Sequence, residues 1–191
     1  VPAFVVCVST RTPKAGTRVT FALYLLADDA QGPADGEMAC RTSRDFGYAG
    51  YHRIDLAEPV RLGAGQRLAV VCTASTEGAD GRRTYGASAA WGTNRRLSDE
   101  NGMVPGYCVA VVNRGESLIY RDGAWADWAD VREGLVAEAD AEAAGYMEVD
   151  NFCIKATAVP TTTDAPQEEG DPTATDGHRQ ETPRAATSTQ Q

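Results

Sequence analysis

The sequence has no run of eighteen apolar residues, so no segment has the length of a membrane-spanning helix. Cations are also few, because 18 Lys and Arg stand against 27 Asp and Glu and give a formal net charge of −9. A phosphate backbone and an anionic membrane surface both require a basic face on the protein. We therefore expect no nucleic-acid partner and no membrane insertion.

Closely spaced cysteine pairs are missing as well. The chain has five cysteines but no C-x-x-C pair, which argues against a zinc site or a redox motif. Four of the five lie among apolar or β-branched residues, so we expect buried free thiols and no cofactor. One or two disulfides are the alternative if the protein is secreted. The five residues are Cys7, Cys40, Cys72, Cys108 and Cys153.

Histidine is scarce, and this argues against a cysteine-protease reaction in the chain itself. That reaction needs a thiolate whose pKa is lowered by an adjacent histidine. His52 alternates with Ile54 and Leu56 on one face of a predicted strand, and His178 lies in a segment without aromatic residues. No cysteine stands in a Gly-Ser-Cys-Trp-like run. We therefore predict that the chain is not an enzyme and that His52 is structural.

What the sequence does contain is a repeated strand pattern. Residues 51–56 alternate between apolar and polar side chains, which is typical of a half-buried strand. Pro59 then removes a backbone donor, so the pairing must stop or shift there. The alternation resumes at residues 67–73, after a glycine loop. This pattern predicts an all-β meander or sandwich, and of these we expect an antiparallel β-sandwich, jelly-roll-like. The other predicted strands are residues 4–9, 18–26, 37–42, 85–91, 107–113, 117–120 and 152–158.

Three further segments complete the predicted organisation. Residues 77–105 are polar and predict a long surface loop, apart from the strand at 85–91. Residues 130–144 predict one short helical insert, with Asp130 as its cap and Glu133 three residues later. After Val159 the chain is rich in Thr, Pro and acidic residues, which predicts a disordered tail at 159–191 behind a domain at 1–158.

Two tryptophan clusters are the candidate ligand-binding residues. Trp125 and Trp128 lie with Asp122 and Asp127 after the strand at 117–120, and Trp91 precedes Asn94 and Arg95. Flat aromatic rings stack on the apolar faces of sugars, and polar side chains bind the hydroxyls. The alternative is that Trp125 only closes one end of the sandwich.

Acidic loops offer a further alternative, a calcium site. The two clusters are Asp28, Asp29 and Asp35, and Asp99, Glu100 and Asn101. Carboxylate and carbonyl oxygens in a turn can coordinate this ion, but neither loop has the spacing of an EF-hand. In a chain of net charge −9 such loops are usually solvated, so we predict no metal site.

Three blocks in order resemble a known family. They are GYHRIDLAEPVRLGAGQRLAVV at 50–71, GESLIYRDGAWADW at 115–128 and DNFCIKATA at 150–158. Together they resemble the lectin-like domain that follows the catalytic domain in bacterial papain-like cysteine peptidases. The chain departs from the family pattern by starting one strand late, by the insert at 130–144 and by its number of cysteines.

The resemblance implies a non-catalytic β-sandwich accessory domain whose partner is a papain-like peptidase domain in the same parent chain. It also implies an extracellular or cell-surface location and a glycan or surface protein as the ligand. A structural spacer that packs against the peptidase and binds nothing is the alternative. The chain begins at Val1 without a visible signal peptide, and we expect it to be a piece of a longer protein.

Overall fold

A computed structural model describes residues 1–93, 110–139 and 147–161 of the chain. Within these ranges the chain forms eleven strands and one helix, and the five longest strands come first along the chain. The elements are β1 (Ala3–Thr12), β2 (Thr17–Leu26), β3 (Glu37–Phe46), β4 (Gly50–Leu62), β5 (Arg67–Glu77), β6 (Arg83–Tyr85), β7 (Ala89–Thr93), β8 (Leu118–Arg121), β9 (Ala124–Asp127), α1 (Trp128–Ala139), β10 (Met147–Phe152) and β11 (Ile154–Pro160). The described part of the chain holds no helix long and apolar enough to cross a membrane.

Two antiparallel sheets form the body of the fold, which confirms the all-β sandwich prediction. One sheet has the order β11-β1-β4, and the other has the order β3-β2-β5-β6. Val8 from the first sheet and Phe21 and Leu23 from the second are fully buried in one apolar cluster. Burial of such side chains contributes about 1.5–3 kcal/mol each, so this shared core holds the two sheets face to face.

The register of β4 follows the break predicted at Pro59. On β1, Val5 pairs with Val60 while Cys7 pairs with Asp55, so residues 56–59 of β4 lie opposite Val6 alone. A proline cannot donate to a ladder, and an irregularity of this kind accommodates it. The alternation then resumes on both sides of the break, and Ile54 and Val60 are both buried in the core.

Two predicted strands are wrong in detail. Ala110 and Asn113 belong to no strand, because their backbone N–H groups donate to the carboxylates of Glu148 and Glu116 instead of to a neighbouring strand. The strand predicted at 152–158 is divided at Cys153, whose N–H donates to the carbonyl of Ser88. The chain changes sheets at this bend, from the β7–β10 pair to the edge of β1. Residues 107–109 of the predicted strand lie outside the described residues.

The region predicted as a long loop contains more pairing than expected. A turn that follows β5 returns the chain as β6, and β7 then pairs with β10. The predicted strand at 85–91 is therefore two short strands. Residues 94–105, the helix residues predicted at 140–144 and the tail beyond Thr161 lie outside the described residues.

Helix α1 begins two residues before the predicted start. Asp127, not Asp130, is the cap, because its Oδ1 accepts a hydrogen bond of 2.9 Å from the backbone N–H of Ala129. Asp130 lies in the first turn and forms an ion pair with Arg114. The helix packs its Val136 against Trp128 and Val149 in a second, smaller apolar cluster.

Candidate functional site

A groove of about 1050 Å³ lies beside β5. Its floor is formed by β5, its opposite wall by β8, Trp125 of β9 and the first residues of β11, and one end by the loop at 30–33. Such a volume is in the usual range for sites that bind ligands. The groove is therefore the candidate functional site of the described chain.

The floor of the groove is apolar because β5 alternates toward the sandwich core. Leu68, Val70 and Cys72 are half-buried and pack against the main core cluster, and all three line the groove. From the other sheet, Ile154 also reaches both the core and the groove. An apolar floor that remains partly exposed in a folded domain is a feature of binding surfaces.

The wall carries an aromatic pair on the β8–β9 hairpin. Tyr120 and Trp125 are direct cross-strand partners, and their ring centroids lie 5.2 Å apart at an interplanar angle of 64°. Asp122 and Gly123 form the two-residue turn, with positive φ angles of 54° and 85°. An Asp-Gly pair is favoured at such turns, because both central residues of a type I′ turn need positive φ. The turn therefore places both rings on the same wall.

A polar network fixes the loop that precedes this hairpin. The Glu116 carboxylate accepts hydrogen bonds from the backbone N–H and the side-chain amide of Asn113, and from the amide of Asn151. These hydrogen bonds hold the pKa of Glu116 below its ordinary value. Ser117 donates to the Oδ1 atom of Asn151 at 2.7 Å. Glu116 and Ser117 both line the groove, so the network gives it one rigid polar end.

Trp125 is the one predicted ligand-binding residue that lines the groove. Trp128 is only 5% exposed, its ring packs 4.6 Å from the ring of Phe152, and its indole Nε1 donates to the carbonyl of Asp150 at 2.9 Å. A ring buried in this way offers no face to a ligand. Trp91 is 52% exposed but lies on β7, away from the groove.

The two predicted aspartates have local structural roles. Asp127 caps α1 through Oδ1 and accepts a hydrogen bond of 2.7 Å from the N–H of Gly115 through Oδ2. Asp122 occupies the hairpin turn, where its side chain forms an exposed ion pair with Arg121. Neither carboxylate lines the groove.

Sequence reasoning missed Tyr120 and the polar network. The Asp-Gly pair at 122–123 could have revealed Tyr120. An Asp-Gly pair predicts a two-residue hairpin turn, and such a turn places Tyr120 opposite Trp125. The network joins Asn113 and Glu116 to Asn151, which is 35 residues distant from Glu116 along the chain. No local pattern could reveal that contact.

The acidic loop at 28–35 is held by hydrogen bonds between its own residues. Asp35 accepts hydrogen bonds from the backbone N–H groups of Gln31 and Gly32, at 3.1 Å and 2.6 Å. Within the described ranges no group of three or more His, Cys, Asp or Glu side chains is placed to hold a metal ion. The second acidic cluster, Asp99, Glu100 and Asn101, lies outside those ranges, as do Asn94 and Arg95.

The thiols and the histidine of the described chain lie in structural surroundings. Cys7, Cys40, Cys72 and Cys153 form no disulfide with one another, and burial raises the pKa of the Cys72 thiol to about 11. A raised pKa keeps a thiol protonated and is the opposite of what a nucleophile needs. His52 is 4% exposed, stacks on Phe46 and shares its Nε2 with the hydroxyl of Thr12 and the carbonyl of Tyr48. Cys108 lies outside the described residues.

Comparison with models of protein families matches residues 4–158 to a family described as "Lectin like domain". No curated protein and no solved structure matches the chain. The matched residues include both large sheets, the β8–β9 hairpin and every element that lines the groove.

Proposed function

The chain belongs to the lectin-like domain family, and from this membership we propose that it is a binding module of a larger papain-like cysteine peptidase. In this proposal the module itself is non-catalytic, as lectin-like domains are, and the peptidase domain belongs to the same parent chain. The parent is secreted or held at the cell surface, where the module attaches it to a glycan or to a surface protein.

The groove beside β5 is the observation that carries the proposal. It combines an apolar floor, an aromatic wall at Tyr120 and Trp125, and a polar end at Glu116 and Ser117. Tyr120 is 61% exposed, so its ring is available to a ligand without a change in the fold. An apolar surface with a few fixed polar groups is the usual construction of a binding site.

A binding experiment with matched tryptophan variants tests the ligand-binding part. The purified chain is applied to arrays of bacterial and host glycans and to a library of displayed peptides. We expect binding that falls about tenfold or more in Trp125→Ala, because removing the ring removes more than about 1.4 kcal/mol of contact energy. Trp91→Ala is the control, since this exposed ring lies away from the groove.

A structural spacer is the second candidate function, and the apolar floor of the groove is the observation that favours it. Half-buried Leu68, Val70 and Ile154 could equally be covered by a neighbouring domain of the parent. Absence of binding to every glycan and peptide, with a folded chain, would support the spacer and contradict the binding module.

The peptidase part of the proposal has a separate and simpler test. The coding sequence upstream of Val1 should encode a papain-type Gln, Cys, His and Asn set. An upstream sequence without that set would contradict the assignment to a peptidase while leaving the groove and its ligand untouched.

A further inference from the structure

Strand β5 has an edge that is largely without a partner strand. β5 pairs with β2 from Arg67 to Thr76, but on its other edge it pairs with β6 only from Ser75 to Glu77. The N–H of Gly86 donates to the carbonyl of Ala74 at 3.1 Å, and among the described residues no backbone hydrogen bond follows it on this edge. Within the described ranges, residues 67–74 therefore face the groove without a neighbouring strand.

The free backbone groups on this edge point to the side of β5 on which β6 lies. In an antiparallel ladder alternate residues direct both their N–H and their C=O to the same side. Because the carbonyl of Ala74 is directed to the β6 side, Leu68, Val70 and Cys72 direct their backbone groups to that side as well. Backbone donors and acceptors need partners, and a strand in the groove would supply them in the right spacing.

The other edges of the two large sheets carry features that discourage strand addition. β3 has Arg41, Arg44 and Asp45, β6 has only three residues and carries Arg83, β4 has Pro59 within its break, and β11 has Lys155 and Pro160. Charges, prolines and irregularities are how natural sheets protect their edges. Residues 68–74 of β5 read LAVVCTA and contain no charge and no proline. Among the described edges of the two large sheets, this is therefore the one without such protection.

We propose, in extension of the proposed function, that the ligand of the groove is an extended segment of a partner protein that binds as an added strand along β5. Main-chain hydrogen bonds would supply affinity, and alternate side chains of the segment would pack beside Leu68, Val70 and Cys72 on the same face of the sheet. The free edge extends over about 25 Å at the usual rise of ~3.4 Å per residue. A groove closed on its far side by the β8–β9 hairpin admits a single chain more readily than the edge of a second folded copy.

The charges around the groove define the chemistry of the segment. Among the described residues, the charged side chains that line the groove are Arg67 and Glu116. Both are already engaged, Arg67 with the carbonyls of Ala27 and Asp28, and Glu116 with two asparagines. The segment should therefore be uncharged where it follows β5. At the Arg67 end of β5 the bound segment would pass beside Asp28 and Asp29, which are exposed. Because these carboxylates attract cations, we expect a basic residue at that end of the segment.

A library of displayed random peptides of about ten residues is the probe. Selection on the purified chain should enrich uncharged sequences that alternate apolar and small residues, with Lys or Arg at one end. An enriched peptide is then synthesised with N-methyl groups on alternate residues. We expect one of the two methylation registers to weaken binding at least tenfold and the other to have little effect, because only alternate N–H groups face β5.

Two measurements on the protein complete the test. Amide hydrogen exchange should be fast at Leu68, Val70 and Cys72 in the free chain and at least tenfold slower in the complex. Val71→Lys should weaken peptide binding, since a lysine is the residue that protects natural edges. Met38→Lys, an exposed apolar-to-lysine change on β3 of the same sheet, is the control. Should Val71→Lys fail to fold, the two methylation registers decide alone.

The outcomes separate this inference from the proposed function. Slow exchange at Leu68, Val70 and Cys72 in the free chain would show that the edge is already paired and would overturn the inference. Binding that depends on Trp125 but responds equally to both methylation registers would also overturn it and would leave the binding module intact. A glycan as the sole ligand would likewise overturn the added strand and leave the binding module intact. No ligand of either class would contradict both.

Discussion

The three tryptophans show how residues of one type take three different roles. Trp128 is buried and bonded to Asp150, Trp125 is half-buried in the wall of the groove, and Trp91 is exposed on a separate pair of strands. The sequence placed Trp125 and Trp128 together because they are three residues apart. It could not show that Trp128 begins a helix and turns inward, since this depends on the contact with Phe152.

Trp128 should be the most costly of the three to replace. We expect Trp128→Ala to lower the free energy of unfolding by about 3–5 kcal/mol, because a large buried side chain leaves a cavity. Trp128→Phe keeps most of the packing but leaves the Asp150 carbonyl without its donor, which costs about 1–3 kcal/mol. Urea unfolding of both variants beside Trp91→Ala measures these differences. Equal losses in Trp128→Ala and Trp91→Ala would contradict the assignment of Trp128 to the core.

Cys72 should make stability depend on pH in the alkaline range. Burial raises the pKa of this thiol from 9.0 to about 11, so the folded state favours the protonated form. The resulting stabilisation is present below pH 9 and is lost as the pH rises through about 11. We expect Cys72→Val to flatten the decrease in unfolding free energy between these two pH values.

The control for this prediction is Val70→Ala, which weakens the same core without removing a titratable group. For Val70→Ala, the unfolding free energy should be lower at every pH and should decrease between pH 9 and 11 with the same slope as in the unchanged chain. A Cys72→Val curve parallel to that of the unchanged chain would contradict the raised pKa.

Among the strands, predictions were correct where neighbouring residues determine the structure and wrong where residues far apart along the chain determine it. Alternation revealed β2 and the central part of β4, and Pro59 revealed the break in pairing, because these features act on neighbouring residues. The strand predicted over Ala110 failed because its backbone donates to Glu148, a residue far along the chain. The division at Cys153 depends in the same way on Ser88.

Asp127 is the residue that joins two of these elements. We expect Asp127→Ala to lower the unfolding free energy by about 0.5–2 kcal/mol, because helix α1 loses its cap and Gly115 loses an acceptor. Asp127→Asn should lose less, since its amide oxygen still accepts one of the two hydrogen bonds. Thermal or urea unfolding provides the measurement.

Glu133→Ala serves as the control, because Glu133 is an exposed carboxylate on the same helix. This change should shift stability by no more than about 0.5 kcal/mol. If Glu133→Ala proved as damaging as Asp127→Ala, the cap would not be the cause.

At the scale of the whole molecule, the fold class could be predicted from the sequence but the groove could not. The period-2 alternation and the glycine and proline positions predict an all-β meander or sandwich, because they show which face of each strand is buried, and the family resemblance favours the sandwich. The groove exists because β5, the β8–β9 hairpin and β11 meet in space, and because β6 is too short to cover β5. Local periodicity does not predict which strands pair with one another or over how many residues they pair.

The boundary at 158 and the tail at 159–191 stay predictions from composition. β11 continues to Pro160, and the N–H of Thr161 donates to the carbonyl of Pro2, so ordered pairing reaches slightly beyond the predicted boundary. We expect a chain that ends at Thr161 to keep the melting temperature of the longer one. A clear decrease would mean that residues 162–191 contribute to the fold.

The central claim is that the ligand of this lectin-like domain lies in the groove beside β5. Titration of a selected ligand into the isotope-labelled chain, followed by amide chemical shifts, tests this most directly. We predict that the largest shifts fall on residues 68–74, on Tyr120 and Trp125, and on Ile154, while the amides of β3 and β4 stay unchanged. Shifts concentrated around Trp91 or on β3 and β4 would contradict it.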